Sequence, residues 1–104
     1  MTEASTNEET TNVAAINLEG VVNIAKAETL HHQMEDILKE AVPITLQASE
    51  VQRVDTAILQ LLLAFFKSMA SAQVSITWDG VSDELLAAVK LLGIEQELDL
   101  ASQN

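Results

Sequence analysis

The sequence predicts a single α/β domain, with a mostly parallel or mixed β-sheet of about four strands and helices packed on it. Three observations carry that expectation. Short runs alternate apolar and polar residues, longer runs repeat apolar residues at helical spacing, and the two kinds of segment take turns along the chain. At 104 residues the chain is one domain. A domain of that size buries roughly two-thirds of the surface its unfolded chain exposes, enough for one core.

The elements follow in order. Residues 1–12 (MTEASTNEETTN) carry no aliphatic residue beyond Met1 and Ala4, and are expected to form a disordered acidic tail ahead of a domain at 13–104. Ala14 to Leu18 alternates and ends at Glu19-Gly20, a turn signal, and Val21 to Ile24 resumes a strand pattern, so a β-hairpin is expected there. Leu30, Met34, Ile37, Leu38 and Ala41 share one helical face within 27–41, with Glu28, Glu35, Asp36, Lys39 and Glu40 elsewhere; Pro43 ends that helix. Ile44 to Ala48 alternates as a strand, and Ser49 to Arg53 reads as a polar connection broken only by Val51. A helix then runs from Thr56 to about Ala70. Val74 to Trp78 is a further strand, closed by the turn dipeptide Asp79-Gly80. Ser82 is placed to cap a helix whose buried face is Leu85, Leu86, Val89 and Leu92, with acids in its first turn and Gly93 just past its end. Ile94 to Leu100 adds at most one short helical segment.

Composition excludes several functions. Sixteen acidic residues against five basic ones give a net charge of −11. The cations Lys26, Lys39, Arg53, Lys67 and Lys90 are scattered, whereas a nucleic-acid backbone or an anionic membrane needs them clustered. Trp78 without basic neighbours is a core or rim residue rather than a base-stacking platform. No cysteine is present, which removes disulfides and thiolate chemistry and fits a reducing cytosol, so a cytoplasmic location is expected. No apolar run reaches the ~20 residues of a membrane span, and Met1 to Ser5 lacks the basic and apolar parts of a secretion signal.

Little in the chain suggests catalysis. His31 and His32 are adjacent, so on a helix they point about 100° apart and supply at most two ligands with Glu35 or Asp36, whereas structural zinc needs four. There is no nucleophile elbow, no glycine-rich phosphate loop and no zincin motif, so no enzyme activity, metal or cofactor is expected.

Attention therefore falls on Val54-Asp55-Thr56-Ala57 and the helix that follows. Asp and Thr are preferred helix caps, and removing such a cap costs ~1 kcal/mol. The same hydroxyl is placed to accept a phosphate, whose added charge of about −1.5 to −2 the helix N-terminus favours and Asp55 opposes. The helix is also apolar over two stripes: Ile58, Leu61, Leu62, Phe65 and Met69, then Leu59, Leu63, Phe66 and Ala70. Together they span roughly twice the ~100° of an ordinary surface helix. Either one stripe lies on the sheet and the other under a neighbouring helix, or the second is left for a partner. On the partner reading, the contact is Asp55, Thr56, Ala57, Leu59, Leu63 and Phe66.

The segment Ile44 to Ala57, with its strand, short loop and Asp-Thr before a helix, resembles the STAS family, named for sulfate transporters and anti-sigma-factor antagonists. Two flanks agree in order: Glu19-Gly20-Val21-Val22-Asn23-Ile24 is similar to the family's early glycine-containing hairpin. Asp79 to Leu86, followed by Leu91-Leu92-Gly93-Ile94, is similar to its third helix and exit. The resemblance covers about residues 13–100. It implies a non-enzymatic bacterial domain that binds proteins, with Asp55 at the family Asp and Thr56 at the first hydroxyl position. In the antagonist branch it implies signal transduction with a kinase-like anti-sigma factor or a signalling kinase, through phosphorylation of a loop hydroxyl. Ala57 stands at the usual acceptor position, Ile58 replaces a Gly, and Gln47 replaces a common Asp. An Asp-Thr followed by a small residue is closer to the MlaB-like branch, which implies an accessory subunit bound to the ATPase of a phospholipid ABC transporter. Stand-alone chemosensory STAS proteins form a third branch.

Overall fold

The computed structural model describes residues 14–101. The tail expected at 1–12 lies outside the described residues. Three parallel strands form the sheet in the order β1 (Ala14–Val22), β2 (Ile44–Val54), β3 (Ile76–Val81). Helix α1 (Ala27–Glu40) connects β1 to β2, α2 (Thr56–Ser71) connects β2 to β3, and α3 (Asp83–Leu92) follows β3. Of the parallel and mixed sheets expected it is the parallel one, with three strands among the described residues where about four were expected.

The difference begins at glycine. Gly20 has φ 65° and Gly80 φ 87°, the left-handed backbone that glycine adopts without steric cost. In sequence each reads as a turn. In the structure each lies inside a strand, and the ladders slip by a residue beside them, between Gly20 and Val21 on β1 and between Leu46 and Ala48 on β2. The expected hairpin is therefore one continuous strand, Ala14 to Val22, and β3 continues through Asp79-Gly80 to Val81. At Gly80 space matters as well, since a Cβ there would stand 3.0 Å from Ser49 Cβ.

Strand β2 also outruns its expected length. Ser49 to Arg53 is strand rather than connection, with Val51 buried and Ser49, Glu50, Gln52 and Arg53 exposed. The polar composition reflects exposed positions beside a bulged ladder, not a loop. Ile44, Leu46 and Ala48 are buried and form the floor of the core, while Gln47 points outward.

Parallel strands in sequential order require crossovers, and a consistent right-handed crossover sends successive helices to one face. Helices α1 and α2 accordingly pack side by side. Leu30 and Met34 are the fully buried positions of α1, which ends on Ala41 in the left-handed conformation (φ 53°). Ser82 caps α3 as expected, its Oγ accepting from the Leu85 amide at 3.0 Å, and Gly93 closes it at φ 68°. After α3, residues 95–99 form hydrogen-bonded turns rather than a helix, and Leu98 and Leu100 are fully buried. The Trp78 indole N–H donates to the Leu98 carbonyl at 2.8 Å, which ties this C-terminal segment to β3.

Leu62, at the middle of α2, is 0% exposed. Leu62→Ala is expected to lower unfolding stability by ~2–5 kcal/mol, as buried leucine truncations do, measured by urea denaturation.

Candidate functional site

The carboxyl end of β2 delivers the Asp-Thr pair. The Asp55 amide donates to the Val22 carbonyl at 3.1 Å, extending the β1–β2 ladder one residue beyond the strand. Asp55 is then the N-cap of α2, with extended backbone (φ −82°, ψ 153°), and its carbonyl accepts from the Ile58 and Leu59 amides at 3.0 and 3.2 Å. Its side chain makes no capping hydrogen bond. The capping role open to this residue is thus performed by the backbone alone, and the half-buried carboxylate is left beside the exposed Thr56 and Ala57. Loops at the carboxyl ends of parallel strands are where open α/β sheets place their functional groups.

Both apolar stripes of α2 are largely used inside the domain. Ile58, Leu59, Leu62, Phe65 and Met69 are buried, and Leu61, Leu63 and Phe66 are half-buried. Leu59, 2% exposed, is core and has no surface to offer a partner, which corrects its assignment as a contact residue. Phe66 stacks on Trp78 with ring centroids 5.8 Å apart and planes at 22°. That ring lies on the flank of α2 nearest β3 and the C-terminal turn, where Phe66, Ile76 and Asp99 border one shallow hollow. Within the second stripe Phe66 lies on Trp78 of β3 rather than under a neighbouring helix, a partner that a wheel drawn on one helix does not include, while Ala70 is exposed. Leu63 remains half-buried at the margin of the open face.

The open face of α2 carries Thr56, Ala57, Gln60, Ala64, Lys67 and Ser68. Of the residues assigned from sequence, the structure brings Asp55, Thr56 and Ala57 together there, and turns Leu59 and Phe66 away. It adds one that the sequence reading missed. Ile24, read as the end of a strand, sits in a 3-10 turn (Ile24–Lys26) and is 66% exposed, and it shares a surface depression with Ala57 and Leu61. The preceding Asn23 is the signal that was available: its Oδ1 accepts from the Ala25 amide at 3.0 Å, the local bond by which such residues start turns.

His31 and His32 lie exposed on α1, where His31 meets Glu35 at 3.6 Å and His32 meets Glu28 and Glu35 at 3.9 Å. Among the described residues no group of three or more His, Cys, Asp or Glu side chains is arranged to hold a metal ion. No helix among them is long and apolar enough to cross a membrane.

The fold and this surface define a small parallel α/β domain that presents an open helix N-terminus beside exposed apolar residues. The chain belongs to the STAS family: the family model described as "Mlab, STAS domain" matches residues 5–101. Among solved structures, it is similar to a candidate anti-sigma factor antagonist of Thermotoga maritima, at 18% identity and TM-score 0.70, over 82% of this chain and 74% of that one. A sulfate transporter family protein of Wolinella succinogenes is similar at 22% identity and TM-score 0.68, over 84% of this chain and 71% of that one. Mglu matches at 17% identity and TM-score 0.60, over 71% of this chain but only 19% of its own length. At these identities the likeness is one of fold. No curated protein matches by sequence. STAS domains are in general regulatory or binding domains rather than enzymes, and bind protein partners such as anti-sigma factors.

The stacked pair gives a direct test of which face of α2 is closed. Phe66→Ala is expected to destabilise the domain by ~1–3 kcal/mol, through lost burial and the lost aromatic pair. Phe65→Ala, at a site 3% exposed, is expected to cost more, ~3–5 kcal/mol. Urea denaturation of both variants checks the order.

Proposed function

We propose that this chain is a non-enzymatic bacterial regulatory protein that binds a partner through the carboxyl end of β2 and the start of α2. On this reading it acts in the cytoplasm, in the manner of an anti-sigma-factor antagonist, within a partner-switching or chemosensory pathway. Its partner is a kinase-like anti-sigma factor or a signalling kinase. The observation that carries the reading is the state of Asp55 and Thr56. The carboxylate is not consumed by capping, and the hydroxyl beside it is exposed at the positive end of a 16-residue helix. Ala57 and Ile24 place apolar surface alongside, so that a polar recognition point has a hydrophobic surround.

Thr56 is also where a phosphate would act most strongly. It would gain from the unpaired amides of the first turn and lose from Asp55, and it would set a desolvated charge against any partner seated on Ile24 and Ala57. With Ala57 at the family's usual acceptor position, Thr56 is the hydroxyl at the start of α2 that a kinase can modify.

A second reading is favoured by the same alanine and by the family description: an MlaB-like accessory subunit that binds the ATPase of a phospholipid ABC transporter. Here Thr56 is a contact residue rather than a phosphoacceptor.

Affinity purification of the full chain from its native cytoplasm, with mass spectrometry of the captured proteins, separates the two. A kinase-like partner supports the first reading, and capture of an ABC ATPase alone replaces it with the second. In either case Thr56→Glu is expected to lower capture at least tenfold while Thr56→Ser retains it. Equal capture by both variants would remove Thr56 from the contact. Phosphate mapped only to hydroxyls of residues 1–12 after incubation with the cognate kinase would end the phosphoacceptor role.

A further inference from the structure

The outer surface between α1 and α2 is a groove with no occupant among the described residues. Two depressions join along it, about 350 Å³ near Ile24 and about 100 Å³ further along, and they share His31 and Leu61 as common walls. Ile24, Ala27, Leu38 and Leu61 give the groove an apolar lining. The α2 wall is low, because Ala57, Ala64 and Ser68 stand along it with small side chains. From Ala57 to Ser68 that wall runs for about 16 Å at the helical rise, the length of about three turns of another helix.

Charge in the groove has one sign. The α1 wall carries Glu28 and Glu35 beside His31, and no lysine or arginine lines either depression. Lys26, at the near end, is turned the other way, its ammonium donating to the Glu19 carbonyl at 3.2 Å. The whole chain adds to this field with its net charge of −11.

The backbone decides the form of the occupant. Both walls are helices, whose interior amides and carbonyls are paired within each helix, so the groove offers no ladder of backbone partners as a sheet edge would. A segment that enters it must satisfy its own backbone, which an α-helix does.

We propose that the α1–α2 groove receives an amphipathic helix of the partner protein, with its apolar face on Ile24, Leu61 and Leu38 and its lysines or arginines against Glu28 and Glu35. The proposal rests on the reading of the α2 N-terminus as a contact surface, with which the groove is continuous at Ala57, and it specifies the chemistry of what docks there.

The test uses the full chain, isotope-labelled, and a synthetic Leu/Lys amphipathic helical peptide as probe, with a Leu/Glu peptide of the same pattern as control. Amide shift changes are expected to cluster at residues 24–38 and 57–68, and affinity to fall as salt is raised. The double variant Glu28→Lys/Glu35→Lys, and separately Ile24→Ser, both at exposed positions, are expected to weaken peptide binding by about tenfold. Equal binding of the Leu/Glu peptide, unchanged affinity in the double variant, or shifts confined to the open sheet face or α3 would overturn the proposal. So would concentration-dependent dimerisation through the groove amides, which would give the groove to a second copy. A nitroxide on Ala4→Cys, unique because the chain has no cysteine, provides a further check. If it broadens the groove amides of the free protein, the occupant is the chain's own N-terminal segment and the proposal fails.

The captured native partner separates this inference from the one beneath it. Its retention by Glu28→Lys/Glu35→Lys and loss by Thr56→Glu overturns the groove alone. The opposite pattern supports the groove and overturns the contact at Thr56.

Discussion

The central strand β2 is the constraint on which everything else hangs. It is hydrogen-bonded on both sides, to β1 and to β3, and Ile44, Leu46, Ala48 and Val51 put its apolar side chains under the helices. A one-residue slip in such a strand would turn those side chains to solvent, so burial fixes the register. The register in turn fixes where the strand ends. Asp55 is held to Val22 by one further ladder bond, and that bond sets the position and direction of the first turn of α2. The candidate contact residues are therefore placed by the most heavily paired segment of the domain, not by a free loop.

Helix α2 then divides its surface three ways. One stripe faces the sheet. A second meets Trp78, itself pinned by its bond to the Leu98 carbonyl. The third faces outward and is built from small or polar residues, with Leu61 and Leu63 at its margins. This arrangement explains how a helix so rich in leucine and phenylalanine carries no broad exposed apolar face. The C-terminal turn covers what would otherwise be a second hydrophobic flank, by burying Leu98 and Leu100 against the rest of the core. The surface left over is the groove toward α1, low-walled along α2 and acidic along α1.

Asp55 and Thr56 show how local chemistry and tertiary placement differ in kind. An Asp before a helix is ordinarily a side-chain cap, and the sequence offers that role to it. In the fold its backbone carries the helix start while the carboxylate is free of it. The difference arises from the β1–β2 ladder, which orients the Asp55 peptide from outside the helix. Gly20 and Gly80 make the same point for the sheet. Each needs a left-handed backbone, and a left-handed glycine between alternating runs looks like a hairpin turn until a parallel neighbour is present to absorb it as a bulge.

The sequence by itself determined the alternation of strands and helices, the caps Ser82 and Gly93, the buried positions Leu30 and Met34 of α1 and Leu85 and Val89 of α3, and the prominence of Asp55-Thr56-Ala57. These are local properties: periodicity, backbone freedom and hydrogen bonds between residues close in the chain. Ala41 and Leu92, expected on the inward faces of α1 and α3, are exposed. Only the tertiary structure decided that the first strand is unbroken, that β2 reaches Val54, that Leu59 and Phe66 serve the interior, and that Ile24 stands exposed beside Ala57. Each of these depends on what lies across from the residue, in the next strand, on Trp78 or on the neighbouring helix. A pattern read along one chain segment records which side chains seek burial, but not which of the available surfaces will bury them.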